Sequence, residues 1–205
     1  YGLHWDLQQY RRCRELGFTG YPLKPHSKSH NRRRNTPKYL LRSTPNYLIG
    51  AVLIKKDVYW VGAIDWNLRD FHGYSTTLGG TYNAYLIIDE KVTLIDNVYA
   101  PFAPEMIARI KSVIDPSKIE VIISNHSEPD HSGSIHEILK YAPNAKIYAS
   151  GPSGVRSMIG TYHDIEVLPV KTNEALNIGK RDLQFIQTPL VHWPDNMVTY
   201  SPLDK

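Results

Sequence analysis

The run IEVIIS, residues 119–124, leads directly into NHSEPDHSGS, residues 125–134. A short, nearly unbroken apolar run suits a strand buried on both faces, as in sheets that are covered above and below. A chain built around such a strand is therefore layered. The strand opens into a loop that holds His126, Glu128, Asp130 and His131 within six positions. Alternate residues of an extended loop face the same way, so His126 and Glu128 can reach one ion, with Asp130 and His131 turned toward a second. Pro129 stiffens the loop between the pairs, and Gly133 allows a sharp entry into a helix starting near residue 133 or 134. A single loop histidine or glutamate is usually solvated surface. Four potential ligands in H-x-E-x-D-H spacing after a strand point instead to a metal site.

The flanking sequence supports layers of sheet and helix. AVLIKKDVYWVGAI is rich in β-branched and aromatic residues with a polar break at Lys55–Asp57, as in a hairpin. TYNAYLIIDEKVTLIDNV repeats the pattern, with strands over Tyr85–Ile88 and Val92–Ile95 around a DEK turn. Met106, Ile107, Ile110 and Ile114 recur at helical spacing. SGSIHEILKYA and GPSGVRSMIGTY read as helices and AKIYAS as a strand between them. IEVLPV, ALNIG, LQFIQTP and MVTYSP supply further strands.

Charge divides the chain near residue 50. Residues 1–50 carry a formal charge of +8 and residues 51–205 one of −4. The first segment, with Arg32, Arg33 and Arg34 and broken by glycine and proline, reads as a poorly ordered basic extension. The single cysteine, Cys13, excludes an internal disulfide, and no apolar run approaches the roughly 20 residues of a membrane span. A cytoplasmic protein is expected.

The H-x-E-x-D-H stretch resembles the signature of the metallo-β-lactamase fold, and its glutamate resembles the flavodiiron branch. DVYWVGAIDWNLRDFHGYST, TYNAYLIIDEKVTLID and TPLVHWPDNMVTYSPLD are similar to that family's blocks, so the likeness covers roughly residues 51–205. The resemblance implies an αββα sandwich, an α/β fold, here incomplete. It implies a non-haem diiron site at which His126, Glu128 and His192 hold one iron and Asp130 and His131 the other. His72, in DFHGY, would be a pocket residue able to donate a hydrogen bond or a proton. Trp193 would pack the site wall. Asp195 belongs to the HWPD block and is not the bridging aspartate.

The activity so implied is reduction of O2 to water or NO to N2O, with electrons relayed from rubredoxin or a similar donor through FMN in a head-to-tail homodimer. In that family the bridging aspartate, the last histidine ligand and the flavin domain come later. The resemblance thus implies a chain that stops inside the metal-binding domain, binds no FMN and is inactive alone. Chemically, Glu128 gives a harder, more oxygen-rich site than the histidine of the hydrolases, which suits iron. The alternatives are a metal-dependent hydrolase of the same fold, an inactive fragment, or a nucleic-acid-binding protein acting through residues 24–42. The acidic balance after residue 50 speaks against a broad basic face.

Overall fold

The computed structural model describes residues 50–205. Apart from Gly50, the basic extension expected at residues 1–50 lies outside the described residues. Val52–Lys55 (β1) and Val58–Trp60 (β2) form the first hairpin, with Asp57 at positive φ in its turn. Four very short strands follow: Ala63–Asp65 (β3), Asp70–Phe71 (β4), Tyr74–Ser75 (β5) and Gly80–Tyr82 (β6). Next come Tyr85–Ile87 (β7), Val92–Ile95 (β8), the helix Ala103–Lys111 (α1) and Ile119–Ser124 (β9). Two short helices, Pro129–Ser132 (α2) and Ile135–Leu139 (α3), lead to Lys146–Ser150 (β10). Helix Ser153–Thr161 (α4), strand Val167–Val170 (β11), and strands Ala175–Asn177 (β12), Asp182–Gln187 (β13) and Met197–Tyr200 (β14) complete the order.

Seven strands make a mixed sheet in the order β1-β2-β7-β8-β9-β10-β11. Neighbours are antiparallel as far as β8 and parallel from β8 to β11. The parallel half is where helices α1, α3 and α4 form the crossovers, as parallel pairing requires. A second, antiparallel sheet has the order β12-β13-β14.

Side-chain alternation along the strands builds two cores. Leu86, Leu94 and Ile122 face the helices and pack in one cluster with Met106, Ile110, Ile135, Ile138 and Met158. Their strand neighbours Ile87, Val121 and Ile123 face the other way and join Leu183, Phe185 and Met197 of the three-stranded sheet. The layers are therefore helices, large sheet, small sheet, an α/β arrangement of the metallo-β-lactamase type. Among the described residues no helix covers the outer face of the small sheet, where Ile186, Val198 and Tyr200 are exposed.

Two local expectations are corrected. The helix expected near residue 133 or 134 is present as α3, with Ser134 as its N-cap, but the motif before it is not an extended loop throughout. Pro129 already occupies the first turn of α2, a position that suits its fixed φ and missing N–H. Asp130 and His131 thus sit on a helical turn and not on an extended loop. Gly133 is needed there for close approach: a Cβ on it would meet the Pro129 carbonyl oxygen at 2.4 Å. Helix α1 ends at Lys111, so Ile114 lies beyond it, although its N–H still bonds Ile110 O and its side chain packs on the core.

Candidate metal centre

Strand β9 runs parallel to β8 and β10, and its C-terminal end carries Asn125 and the motif to one edge of the layered body. The segment between β13 and β14 reaches the same edge, because Met197 N–H bonds Asn125 O across the two sheets. Thr199 Oγ1 donates to Asn125 Oδ1 at 2.7 Å and repeats the link. Two stretches far apart in sequence, 126–131 and 192–195, are thereby brought together. The hairpin β4–β5 supplies a third. Its tip is His72-Gly73, both at positive φ, the conformation that two-residue hairpin turns favour.

Glu128 lies at the centre of the group. Its Oε1 is 2.9 Å from His72 Nε2, and its Oε2 is 3.0 Å from His126 Nε2 and 2.9 Å from His192 Nε2. These are hydrogen-bond distances, and donors about 2.1 Å from one cation at about a right angle would also be about 3 Å apart, so the same atoms could share an ion. Ligand atoms of His72, Glu128 and His192 lie within 4.8 Å of one another. Burial opposes ionisation of Glu128, but hydrogen bonds from His192 and His126 and the nearby His72 outweigh it and hold the carboxyl below its usual range.

Asp130 and His131 form the neighbouring group. His131 Nε2 is 3.4 Å from Asp130 Oδ2, and its Nδ1 is 3.3 Å from Asp96 Oδ2. The His126 and His131 rings are 5.5 Å apart between centres. Asp130 Oδ1 is buried without a hydrogen-bond partner, and burial raises the Asp130 pKa. An unpartnered buried carboxylate oxygen is costly unless something positive meets it. Burial also disfavours a charge on His131, yet Asp96 and then Asp130 and Glu128 prevail and lift it to about 9. The donor set, four imidazoles with two carboxylates, one of them short of a partner, fits iron held by mixed nitrogen and oxygen ligands.

Every residue expected from the sequence to form the metal site or its pocket comes to this edge: His72, His126, Glu128, Asp130, His131 and His192. His72 stands in a close trio with Glu128 and His192, within reach to donate a hydrogen bond to Glu128. Trp193 packs edge-on against His126, with ring centres 5.0 Å apart at 88°. Two carboxylates lie behind the histidines. Asp195 meets His126 Nδ1 at 3.1 Å through both oxygens, and Asp96 meets His131. Asp96 also accepts from Asn125 N–H at 2.7 Å and adopts a positive φ that aspartate tolerates better than most residues. Sequence reasoning passed over Asp96, although it directly follows the strand in TLID, where a polar residue closes an apolar run.

The family model for the ODP family beta lactamase matches residues 81–205, more than half of the chain. The chain belongs to this family. The proteins it is similar to include flavodiiron proteins. The nitric oxide reductase of Moorella thermoacetica is 44% identical over 155 residues, covering 74% of this chain and 39% of that protein. Among solved structures, the rubredoxin oxygen:oxidoreductase of Desulfovibrio gigas is 42% identical with a TM-score of 0.70, over 74% of this chain and 38% of that one. The flavodiiron protein of Giardia intestinalis is 38% identical with a TM-score of 0.72, over 83% and 40%. The present chain therefore spans about two fifths of the length of the flavodiiron proteins it matches.

Proposed function

We propose that the chain is the N-terminal part of a flavodiiron oxidoreductase that reduces O2 to water, NO to N2O, or both. The observation that carries this reading is the cluster of three imidazole nitrogens within 2.9–3.0 Å of the two Glu128 oxygens, beside the unpartnered carboxylate of Asp130. The names of the relatives, nitric oxide reductase and rubredoxin oxygen:oxidoreductase, support it. In this reading His126, Glu128 and His192 hold one iron and Asp130 and His131 hold the second. When bound, the ferrous ions supply electrons to the gas. FMN and a rubredoxin-type donor would feed those electrons in the whole protein, in a head-to-tail dimer and in the cytoplasm. No described helix is long and apolar enough to cross a membrane.

The residues of the chain have definable tasks. Glu128 contributes the negative charge that four nearby imidazoles do not. His72 is 42% exposed in its side chain and stands at the open side of the site. An ionised carboxylate only accepts hydrogen bonds, so the contact with Glu128 Oε1 holds a proton on His72 Nε2. Both gas reductions consume protons, and that atom keeps one at the mouth of the site. Trp193 covers the flank of His126 and keeps bulk water off that ring.

The discriminating experiment is anaerobic titration of the polypeptide with ferrous iron and, separately, with zinc. Firm iron binding that is lost in Glu128→Ala and His192→Ala is expected. A protein that takes zinc, ignores iron and cleaves ester or phosphate substrates would instead be the hydrolase of the same fold. No structural observation favours that alternative.

A further inference from the structure

We infer that Asp195 is a positioning residue, whose carboxylate holds Nδ1 of His126 so that Nε2 of the same ring is presented to Glu128 and to a cation bound beside it. This rests on the metal-site reading above. Both Asp195 oxygens are 3.1 Å from His126 Nδ1, and Oδ2 also accepts from Ser127 N–H at 2.7 Å. Ser150 Oγ donates to the Asp195 backbone oxygen at 2.6 Å, which fixes the segment that carries the carboxylate. The two side chains are each 4% exposed, so water does not compete for the contact.

The arrangement permits one ring orientation. Turning the His126 ring over would set carbon against a buried carboxylate and carbon against Glu128, and would take the His126 donor away from both. Trp193 lies edge-on to the ring at 5.0 Å and restricts its swing. A ligating imidazole whose other nitrogen donates to a carboxylate is both better oriented and more basic, and loss of such a partner lowers metal affinity by roughly 10–100-fold.

The segment His192–Asp195 therefore does two things. It brings a ligand of its own, and through Asp195 it aims a second ligand carried 66 residues earlier than His192. Its anchor is needed, because Leu190 and Val191 immediately before it are 76% and 80% exposed.

Asp195→Asn removes the negative charge and one of the two oxygens facing His126 Nδ1, while its amide oxygen can still accept from Ser127 N–H and keep the segment anchored. The test measures Co2+ binding to the full chain, alone and in a His126→Ala background, together with thermal unfolding. Expected are a 10–100-fold weaker Co2+ affinity for Asp195→Asn, an unchanged unfolding temperature, and no further loss when His126 is already alanine. Equal affinity of Asp195→Asn and the parent protein, or the same loss in both backgrounds, would overturn the inference. A second measurement does not depend on the variants. Long-range proton–nitrogen spectra of the histidine rings should show a proton retained on His126 Nδ1, both before and after Zn2+ is added, with zinc on Nε2. Zinc on Nδ1, or an Nδ1 without its proton, would refute the role of Asp195. A parent protein that takes up no metal would defeat the metal-site reading, and the metal-free spectra would still decide for or against Asp195.

Discussion

Replacing Arg181 with alanine should cost the fold about 3–5 kcal/mol, the usual cost of removing one partner from a buried ion pair. Arg181 lies where β13 begins, at the end of the layers opposite the candidate metal centre. Its Nη1 donates to Asp89 Oδ2 at 3.0 Å, its Nε to Asp204 Oδ2 at 2.8 Å, and its Nη2 to Lys56 O at 2.9 Å. These partners belong to the turn before β8, the C-terminal segment and the β1–β2 turn. One side chain thus ties the small sheet to the large one. The Arg181 and Asp89 side chains are only 4% and 1% exposed, so the pair is not the solvent-screened kind that contributes little. Removal leaves the Asp89 charge buried with two backbone N–H groups, those of Glu90 and Lys180, as its remaining donors. For a domain of this size each kcal/mol shifts the unfolding temperature by about 2–4 °C, so a fall of roughly 6–20 °C is expected. Urea unfolding followed by tryptophan fluorescence measures the free energy, and calorimetry the temperature. A loss below about 1 kcal/mol would mean that the two sheets are held by their apolar interface alone, and the reasoning would fail.

The same network predicts acid sensitivity. Burial opposes ionisation of Asp89, but the N–H groups of Lys180 and Glu90 and the Arg181 guanidinium outweigh it, and Arg181 foremost depresses Asp204. Groups with depressed folded values stabilise above the ordinary carboxylate pKa of about 4 and lose that contribution as pH falls through the folded values. Stability should therefore drop below about pH 4, and less steeply in Arg181→Ala, as urea midpoints across pH will show. Gly133→Ala should cost about 1–3 kcal/mol, since the new methyl meets the Pro129 carbonyl and not a side chain that can move aside. It should weaken iron binding as well, because α2 carries Asp130 and His131. Uptake of the cation held by Asp130 and His131 should release protons at neutral pH: His131, lifted to about 9 in the metal-free protein, must shed its proton to ligate. Calorimetry in buffers of different ionisation enthalpy would read that release, and affinity should rise with pH toward 9.

What the chain revealed in advance follows from how each feature is encoded. The strand Ile119–Ser124 was legible as a nearly unbroken apolar run because both of its faces are buried, and the helix Ala103–Lys111 because burial of one face imposes a helical period. The four strands between residues 63 and 82 are two or three residues long, too short to show any period, and their pairing depends on turns. The ligand motif was legible because its members are adjacent in sequence. His72 and His192 were found through family resemblance, since nothing local marks a lone histidine as close to Glu128. Asp96 and Asp195 act at one remove, through Nδ1 of a ring 35 or 69 positions away, and a hydrogen bond of that kind sets no spacing. Yet they decide which nitrogen of each ring is available. Asp96 meets His131 at 3.3 Å on a ring 35% exposed in its side chain, whereas both Asp195 oxygens reach the buried His126 at 3.1 Å. The His126 ring is therefore the more rigidly held of the two. A single cation offered to the chain should enter by His126, Glu128 and His192, before Asp130 and His131.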